Sequence, residues 1–434
     1  MMSWQTIYSE LLRERVVYQR LDVGLEVFVM PRPGFHKRYA VFSTRYGSVD
    51  NRFRRPGSGD VMEVPDGIAH FLEHQLFEDE QGHVFNAFAA LGASVNAYTS
   101  HSMTSYLFST TDNFPAAFDR LLDFVQSPHF TPEGVKKEIG IIEQEIRMYE
   151  DQPRHRLVMN LLQALYHVHP VRIDIAGTAD TIRQIDPETL HACYDTFYHP
   201  SNMAIFVVGD VDPDDVLAQV ETDISGRGYA PRPPVERLFA DEPDHVAAPR
   251  VETVLPAARP LYVIGFKDAP GGATGQERLR AEVVTSLVLS AALGRSSRLY
   301  QELYDADLID DGFSVRYQLG PGFGHTMIGG ETRDPDALHD RLMAGLARLA
   351  DDGIAEEDLV RVKRQSVGEF VQLFNSLEFI ANGFLYYHFL GGSLFSYLDQ
   401  MNTVTLDEAN RRLREHLRPD RAAVSIVRPP ERKA

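Results

Sequence analysis

Apolar and polar residues change their spacing several times along the chain, and each change marks an element. Residues 17–47 alternate. Leu25-Glu26-Val27-Phe28-Val29-Met30 and Tyr39-Ala40-Val41-Phe42-Ser43 read as strands, split by Pro31-Arg32-Pro33-Gly34. Asp50 to Gly59 is a polar loop carrying Gly and Arg. Two further strands, Ser94–Tyr98 and Ser105–Thr111, bracket Ser100-His101-Ser102 as a hairpin does. Helical spacing runs through Phe118, Leu121, Leu122 and Phe124 within Phe114–Gln126. Leu157–Tyr166 and Pro187–Phe197 also read as helices, and Pro200-Ser201-Asn202 turns into a strand over Met203–Gly209. His167 and His169 lie two apart before Pro170, so they read as loop histidines, and His101 beside its hairpin reads as solvated.

One short segment is apolar nearly all round: Ile68, Ala69, Phe71, Leu72, Leu76 and Phe77. Such a helix is buried. Val64-Pro65-Asp66-Gly67 precedes it, with Asp66 as the predicted N-cap. Inside it lies His70-Phe71-Leu72-Glu73-His74. Positions three and four apart share a helix face, so 70, 73 and 74 project together. Two buried imidazoles and a carboxylate need partners. A metal ion held by both imidazoles supplies them, and the carboxylate between is then placed to take a proton from water. That is the layout of a zinc hydrolase, in the inverted order H-x-x-E-H.

A third ligand is needed. The candidate stretch, Glu138-Ile139-Gly140-Ile141-Ile142-Glu143-Gln144-Glu145-Ile146-Arg147-Met148-Tyr149, follows the helix start Thr131-Pro132-Glu133. Glu138 and Glu145 are seven apart, two helical turns, and point the same way, whereas Glu143 does not. Ile141, Ile142, Ile146 and Met148 make the helix largely apolar, which argues against a solvated acidic face.

H-F-L-E-H followed about seventy residues later by E-x6-E-I-x-M resembles the pitrilysin/insulinase family of zinc peptidases. The segment Gly92-Ala93-Ser94-Val95-Asn96-Ala97-Tyr98-Thr99 is similar to that family's G-x-x-x-N-A-x-T strand, continued by Thr104 and Tyr106. G-I-A-H-F-L-E-H, H-P-V-R-I-D-I-A-G-T (169–178) and F-Y-H-P-S-N-M (197–203) place the resemblance among the small bacterial two-domain members, of the YmfH-like peptidase-subunit kind, over nearly the whole chain. By position, the resemblance implies one zinc ion per chain held by His70, His74 and Glu145, with Glu73 as general base and Glu138 supporting the site by hydrogen bonding. It also implies that Asn96 and Ala97 hold an extended peptide against the sheet edge. The implied fold is α+β: two homologous domains, each a mostly antiparallel sheet packed with helices, forming half of a clamshell peptidase.

Composition narrows the setting. The chain has 434 residues, a hydrophobic content of 44% and one cysteine, Cys193, so no internal disulfide is possible and a cytoplasmic location is expected. No run of eighteen apolar residues exists, and Met1 to Arg20 lacks a signal-peptide core. The formal charge of −19 disfavours nucleic acid and anionic membranes as partners.

Residues 228–247, Pro-rich and charged, read as a linker between a zinc-bearing domain (1–227) and a second domain (248–434). The second half repeats the first. Leu406-Asp407-Glu408, a helix, Pro419 and a strand over 422–427 mirror Asp186-Pro187-Glu188, its helix, Pro200 and the strand after it. A helix over Glu277–Leu293 takes the place of the zinc helix but holds no H-x-x-E-H, and Val371–Met401 reads as buried helices. The chain departs from the family in one respect. Active members carry an Arg and a Tyr, seven apart in the second domain, that contact the substrate carbonyl. Here those positions read Tyr304 and, after a two-residue insertion, Phe313. A phenol supplies no fixed cation and Phe donates no hydrogen bond. The expectation is a mitochondrial-processing-peptidase-like zinc endopeptidase subunit, since bacterial members of this size often work in pairs, one subunit holding zinc and the other the Arg/Tyr. Its partner would be a paralogue without H-x-x-E-H that carries the Arg/Tyr pair, giving a heterodimer, with a homodimer as second choice. The alternative is a non-catalytic core or binding subunit on the same fold.

Overall fold

The computed structural model describes residues 4–79, 82–268 and 274–430. They fall into two compact units: one gathers the chain up to Ile146 with Asp174–Phe239 and Leu373–Phe389, the other Arg147–Ile173, Ala240–Gln372 and the chain from Leu390 onward.

The first unit is built on seven strands: β1 (Gln5–Ser9), β2 (Glu14–Arg20), β3 (Glu26–Pro31), β4 (Arg38–Thr44), β5 (Ser94–Thr99), β6 (Thr104–Thr110) and β7 (Met203–Gly209). Their order is β1-β2-β3-β7-β4-β6-β5. Only β3 and β7 pair in parallel. The inner strands β3, β4 and β7 are apolar without alternation because both their faces are covered. Phe28 and Phe206 meet Phe384 of the helix Leu377–Phe389, each at a ring-centroid separation of 5.0 Å. Residues one out of phase with them, Phe42 and Tyr106, join the core formed with the helices α1 (Ile68–Gln75), α2 (Val84–Ala90) and α3 (Phe114–Gln126). β5 ends the sheet, paired on one side alone, with Leu107 opposite Asn96 and Tyr106 opposite Ala97. The helix α4 (Pro132–Glu150) buries Val135, Glu138, Ile142 and Ile146.

The second unit repeats this plan in five strands: β8 (Arg250–Val254), β9 (Leu261–Asp268), β10 (Ser314–Gly320), β11 (Phe323–Glu331) and β12 (Ala422–Arg428), ordered β8-β12-β9-β11-β10. Its one parallel pair among the described residues is β8 with β12, the first and last strands of the set. The helix α5 (Pro153–Leu165) packs on β9 and β12, as Leu377–Phe389 packs on β4 and β7 in the first unit.

These two helices correct the domain boundaries read from the sequence, 1–227 and 248–434. Each half of the chain sends one helix to the other unit's sheet, because that is where its apolar face finds cover. The predicted linker 228–247 is also not a free tether. Glu236–Arg237 pair with Arg52–Arg54 in the first unit. In the second unit, Glu242 accepts the backbone N–H groups of His167, Val168 and His169 at 2.7–2.8 Å and pairs with the buried Lys267. His167 and His169 are loop residues as expected, yet His169 is buried and its Nδ1 accepts from the Val171 N–H at 3.1 Å. The expected burial of Val371–Met401 holds for Leu377, Ile380, Ala381, Phe384 and Leu385, but Val371 and Leu373 are exposed. Among the described residues, no helix is long and apolar enough to cross a membrane.

Candidate metal centre

The helix α1 begins differently from the sequence reading. Its N-cap is Gly67, with φ 93°, and not Asp66, whose Oδ1 instead accepts from Asn51 Nδ2 at 2.9 Å. The left-handed turn lets the chain enter the helix against a second backbone segment. A side chain at 67 would meet the Ala176 carbonyl oxygen at 2.4 Å, and one at Gly177 (φ 75°) would meet the Asp66 carbonyl oxygen at 2.4 Å. The two glycines interlock, and so fix the start of α1 beside the 174–177 turn.

From α1, His70 and His74 turn toward Glu145 of α4. His70 Nε2 stands 3.9 Å and His74 Nε2 3.6 Å from Glu145 Oε2, and the two rings lie 4.5 Å apart. One donor atom from each of the three residues falls within 4.8 Å of the other two, and among the described residues this is the set of three or more metal-binding side chains that meets so closely. The separations are too long for good N–H···O hydrogen bonds. They match donors spread around one ion: tetrahedral zinc with bonds of 2.0–2.1 Å puts its ligands about 3.4 Å apart. The donor set of two imidazoles and one carboxylate therefore fits zinc. The His74 Nδ1 side is occupied by Glu138 Oε1, at 2.8 Å. Glu138 is buried, and its carboxylate lies against the ring on the side away from Glu145.

Glu73, 8% exposed, does not join the donor set. Its Oε2 accepts from Thr99 Oγ1 at 2.6 Å. Burial raises its pKa, and the Thr99 hydrogen bond offsets part of that rise. Burial alone would lower the pKa of His74, but Glu138, Glu73 and Glu145 together raise it. Glu143 points away, as its spacing required, and pairs with Arg183. Ile141 and Met148, read as part of an apolar helix, are 44% and 51% exposed, so α4 is amphipathic and its buried face is carried by Val135, Ile142 and Ile146.

Thr99 closes β5, so the same strand that anchors Glu73 is the edge carrying Asn96 and Ala97. Asn96 is exposed and Ala97 half-buried. The role of Thr99 toward Glu73 was not visible in the sequence, because nothing in a strand's spacing tells which helix residue its last side chain will meet. His101, expected to be solvated, is largely withdrawn from water: its Nδ1 lies 3.1 Å from Ser48 Oγ, and burial lowers its pKa to about 4.

In the second unit Tyr304 and Phe313 flank the ring of Tyr300, at 6.1 and 6.0 Å between centroids. Of the residues near them, Arg298 pairs with Glu302 and Tyr317 donates to Asp268.

Comparison with known proteins places the chain in a family. The family described as Insulinase (Peptidase family M16) matches residues 57–179, and the Peptidase M16 inactive domain matches residues 184–366. The chain is 42% identical to the uncharacterized zinc protease YmfH of Bacillus subtilis (strain 168), over 98% of this chain and 99% of the relative. A crystal structure from Alicyclobacillus acidocaldarius, solved as an M16-like peptidase, superposes with a TM-score of 0.92 at 42% identity over 99% of both chains. A protease from Helicobacter pylori, at 19% identity and TM-score 0.78 over 96% of this chain and 100% of its own, shares the fold. With H-x-x-E-H on a buried helix, a glutamate from a second helix completing the donor set, and relatives named as zinc proteases along its full length, the chain belongs to the insulinase family of peptidases, M16.

Proposed function

We propose that the chain is a zinc-dependent endopeptidase that cleaves peptides or precursor segments bound in extended form, and that it is the catalytic subunit of a two-subunit enzyme. The observation that carries the reading is the Thr99–Glu73 hydrogen bond of 2.6 Å. It ties an uncoordinated carboxylate, beside a zinc-type donor set, to the end of an unpaired sheet edge.

His70, His74 and Glu145 would hold the ion. Zinc, when bound, polarises a scissile carbonyl and makes water acidic enough to attack near neutral pH. The main chain of β5 pairs with an extended substrate through its free edge, and Asn96 and Ala97 set the register. Glu73 takes a proton at its carboxylate as the water oxygen bonds to the carbonyl carbon. As the C–N bond breaks, it delivers that proton to the leaving nitrogen. Thr99 keeps the carboxylate aimed during both transfers.

The two-subunit part of the reading is supported by the second unit. By the family resemblance, Tyr304 and Phe313 take the positions at which active members carry Arg and Tyr, and neither replaces a fixed cation and a phenol donor. A paralogous chain lacking H-x-x-E-H would supply the pair, and a homodimer is the second choice.

The test is cleavage of a quenched peptide library by the zinc-loaded chain alone, beside Glu73→Gln, and again with a motif-less paralogue. Activity that appears only with the paralogue and vanishes in Glu73→Gln is the expected result. Full activity of the lone chain would sink the partner requirement and leave a self-sufficient peptidase. No activity under either condition, with zinc bound, would favour a non-catalytic subunit.

A further inference from the structure

We infer that Asn382 is a positioning residue for the substrate edge, holding β5 from the face of the sheet opposite α1; this rests on the edge-strand reading above. β5 ends its sheet, so the backbone N–H and C=O groups along one side of it have no strand to pair with. Hydrogen bonds to β6 fix the strand along its inner side, and rotation about that line is resisted by side chains alone. A peptide that pairs with the outer side needs the free groups held at one angle. Thr99 restrains the strand on the α1 side through its hydrogen bond to Glu73. Successive residues of a strand point to opposite faces, so Tyr98 and Asn96 face the other way.

There Tyr98 meets the helix Leu377–Phe389. The Tyr98 hydroxyl donates to Asn382 Oδ1 at 3.1 Å. Asn382 Nδ2 donates to the Tyr39 hydroxyl and to the Glu378 carbonyl, each at 2.8 Å. A backbone carbonyl can only accept, so the helix itself sets the orientation of the amide and leaves its oxygen for Tyr98. One side chain thus ties the edge strand to Tyr39 of β4, two strands inward.

Such a tie restrains the strand only if its base is fixed, and the helix is fixed beyond Asn382. Phe384, half a turn on, is buried against Phe28 and Phe206. In the last turn His388 Nε2 lies 2.7 Å from Glu26 Oε2, and Tyr18 donates to the other oxygen of that carboxylate at 3.0 Å. β5 therefore carries two anchors on consecutive residues, one on each face. Thr99 links it to the base, and Tyr98 sets the angle of the strand to which a peptide pairs. Asn382 acts through Tyr98 and touches no reacting atom.

The test uses the full zinc-loaded chain in the Glu73→Gln background, so that a bound polypeptide stays intact. Binding of fluorescein-labelled casein, an unstructured polypeptide, is read by anisotropy, and hydrogen exchange of the β5 amides is recorded beside it. Asn382→Leu keeps the volume and removes both polar arms, whereas Tyr98→Phe removes the phenol alone and leaves the helix untouched. Either variant should speed exchange across β5 and weaken casein binding by about tenfold, the value of one or two hydrogen bonds, with zinc affinity at its starting level. Asn382→Asp, to which both phenols can still donate, should recover most of the loss. Unchanged exchange and unchanged binding in Tyr98→Phe would overturn the inference. So would a loss in Asn382→Leu that Asn382→Asp does not recover and that comes with a fall in Tm, which would make Asn382 a packing residue only. Faster exchange with unchanged binding, or no casein binding by the starting chain, would bring down the edge-strand reading together with this one.

Discussion

In both units an edge strand lies beside the helix that follows the second of the shared strands, and in both a carboxylate is buried near the end of that pair. What surrounds the carboxylate differs. In the second unit burial pushes Asp268 up, but His416 and Arg412 overcome it and hold the group well below the usual carboxylate range. Tyr317 donates to the same group at 2.5 Å, and Arg412 also reaches Thr285 at 2.8 Å. In the first unit Glu73 accepts from one hydroxyl, and burial raises its pKa although the Thr99 hydrogen bond and the charge of His74 offset part of the rise. One topology thus houses a closed ion cluster and an open one. Where the protein supplies every partner, the cluster is structural. Where three donor atoms converge, at His70, His74 and Glu145, the set is of a kind that could hold a metal ion, and the buried carboxylate beside it is less heavily partnered.

The sharpest way to break this comparison is to change one carboxylate in each unit. Glu73→Gln keeps the Thr99 contact and the donor set but cannot accept a proton. Peptide cleavage should fall by about a thousandfold, with zinc content unchanged. Glu282→Gln, on the helix Gly275–Leu293 that takes the place of α1, should leave cleavage at the wild-type rate. Equal losses in the two variants would mean that the chemistry is not confined to the first unit.

Metal removal should come next in size. At a free zinc concentration a thousandfold above Kd, binding stabilises the folded chain by about 4 kcal/mol. Chelation should therefore expose amides of α1 and α4 to hydrogen exchange while leaving the helix Gly275–Leu293 protected. Uniform loss of protection across both units would contradict a metal site built from the first unit alone.

Acid should act in the opposite place. Glu242 in the second unit is pushed up by burial, but Lys267 and three backbone N–H groups bring its pKa down to about 2. A carboxyl depressed from 4.5 contributes stability that is complete above that pH and is lost as pH falls toward about 2. Discounted for solvent screening, this amounts to about 2 kcal/mol. Glu242→Gln should flatten the acid limb of the second unit's unfolding curve, and an unchanged limb would show that the anchor carries no such weight.

Much of this was legible in the sequence, and the reasons are local. Helix and strand spacing gave α3 at its observed limits, and the seven-residue separation of Glu138 and Glu145 set both on one face of α4. The repeat was readable because the elements recur in order. Long-range exchange was not. That α5 and Leu377–Phe389 leave their own halves depends on which sheet has an uncovered face, and an amphipathic pattern shows only that a helix needs a cover. The hairpin of β1 and β2 also escaped notice, since Gln5–Ser9 is an exposed edge with little alternation. At the site, spacing put His70, Glu73 and His74 on one face and Glu138 with Glu145 on another, and the family resemblance chose between the two glutamates, whereas Thr99 and the paired glycines 67 and 177 act across folds of the chain that spacing does not encode.

The smallest effect expected concerns the link between the edge strand and the base. Thr99→Val preserves shape and strand preference but removes the hydroxyl that donates to Glu73 at 2.6 Å. The carboxylate keeps its burial and loses a bond that favours its charged form, so its pKa should rise further. Two consequences separate this from general damage. The rate kcat/KM should fall by about tenfold, the value of one hydrogen bond to a charged group, and the acid limb of its pH profile should move upward. Zinc affinity should stay where it was, because Thr99 touches no member of the donor set. A variant that lost zinc as well would show that β5 braces the whole helix α1. A variant with wild-type kinetics would show that Glu73 is held by its own packing, and the first unit's carboxylate would then need a hydroxyl no more than Asp268 needs a metal.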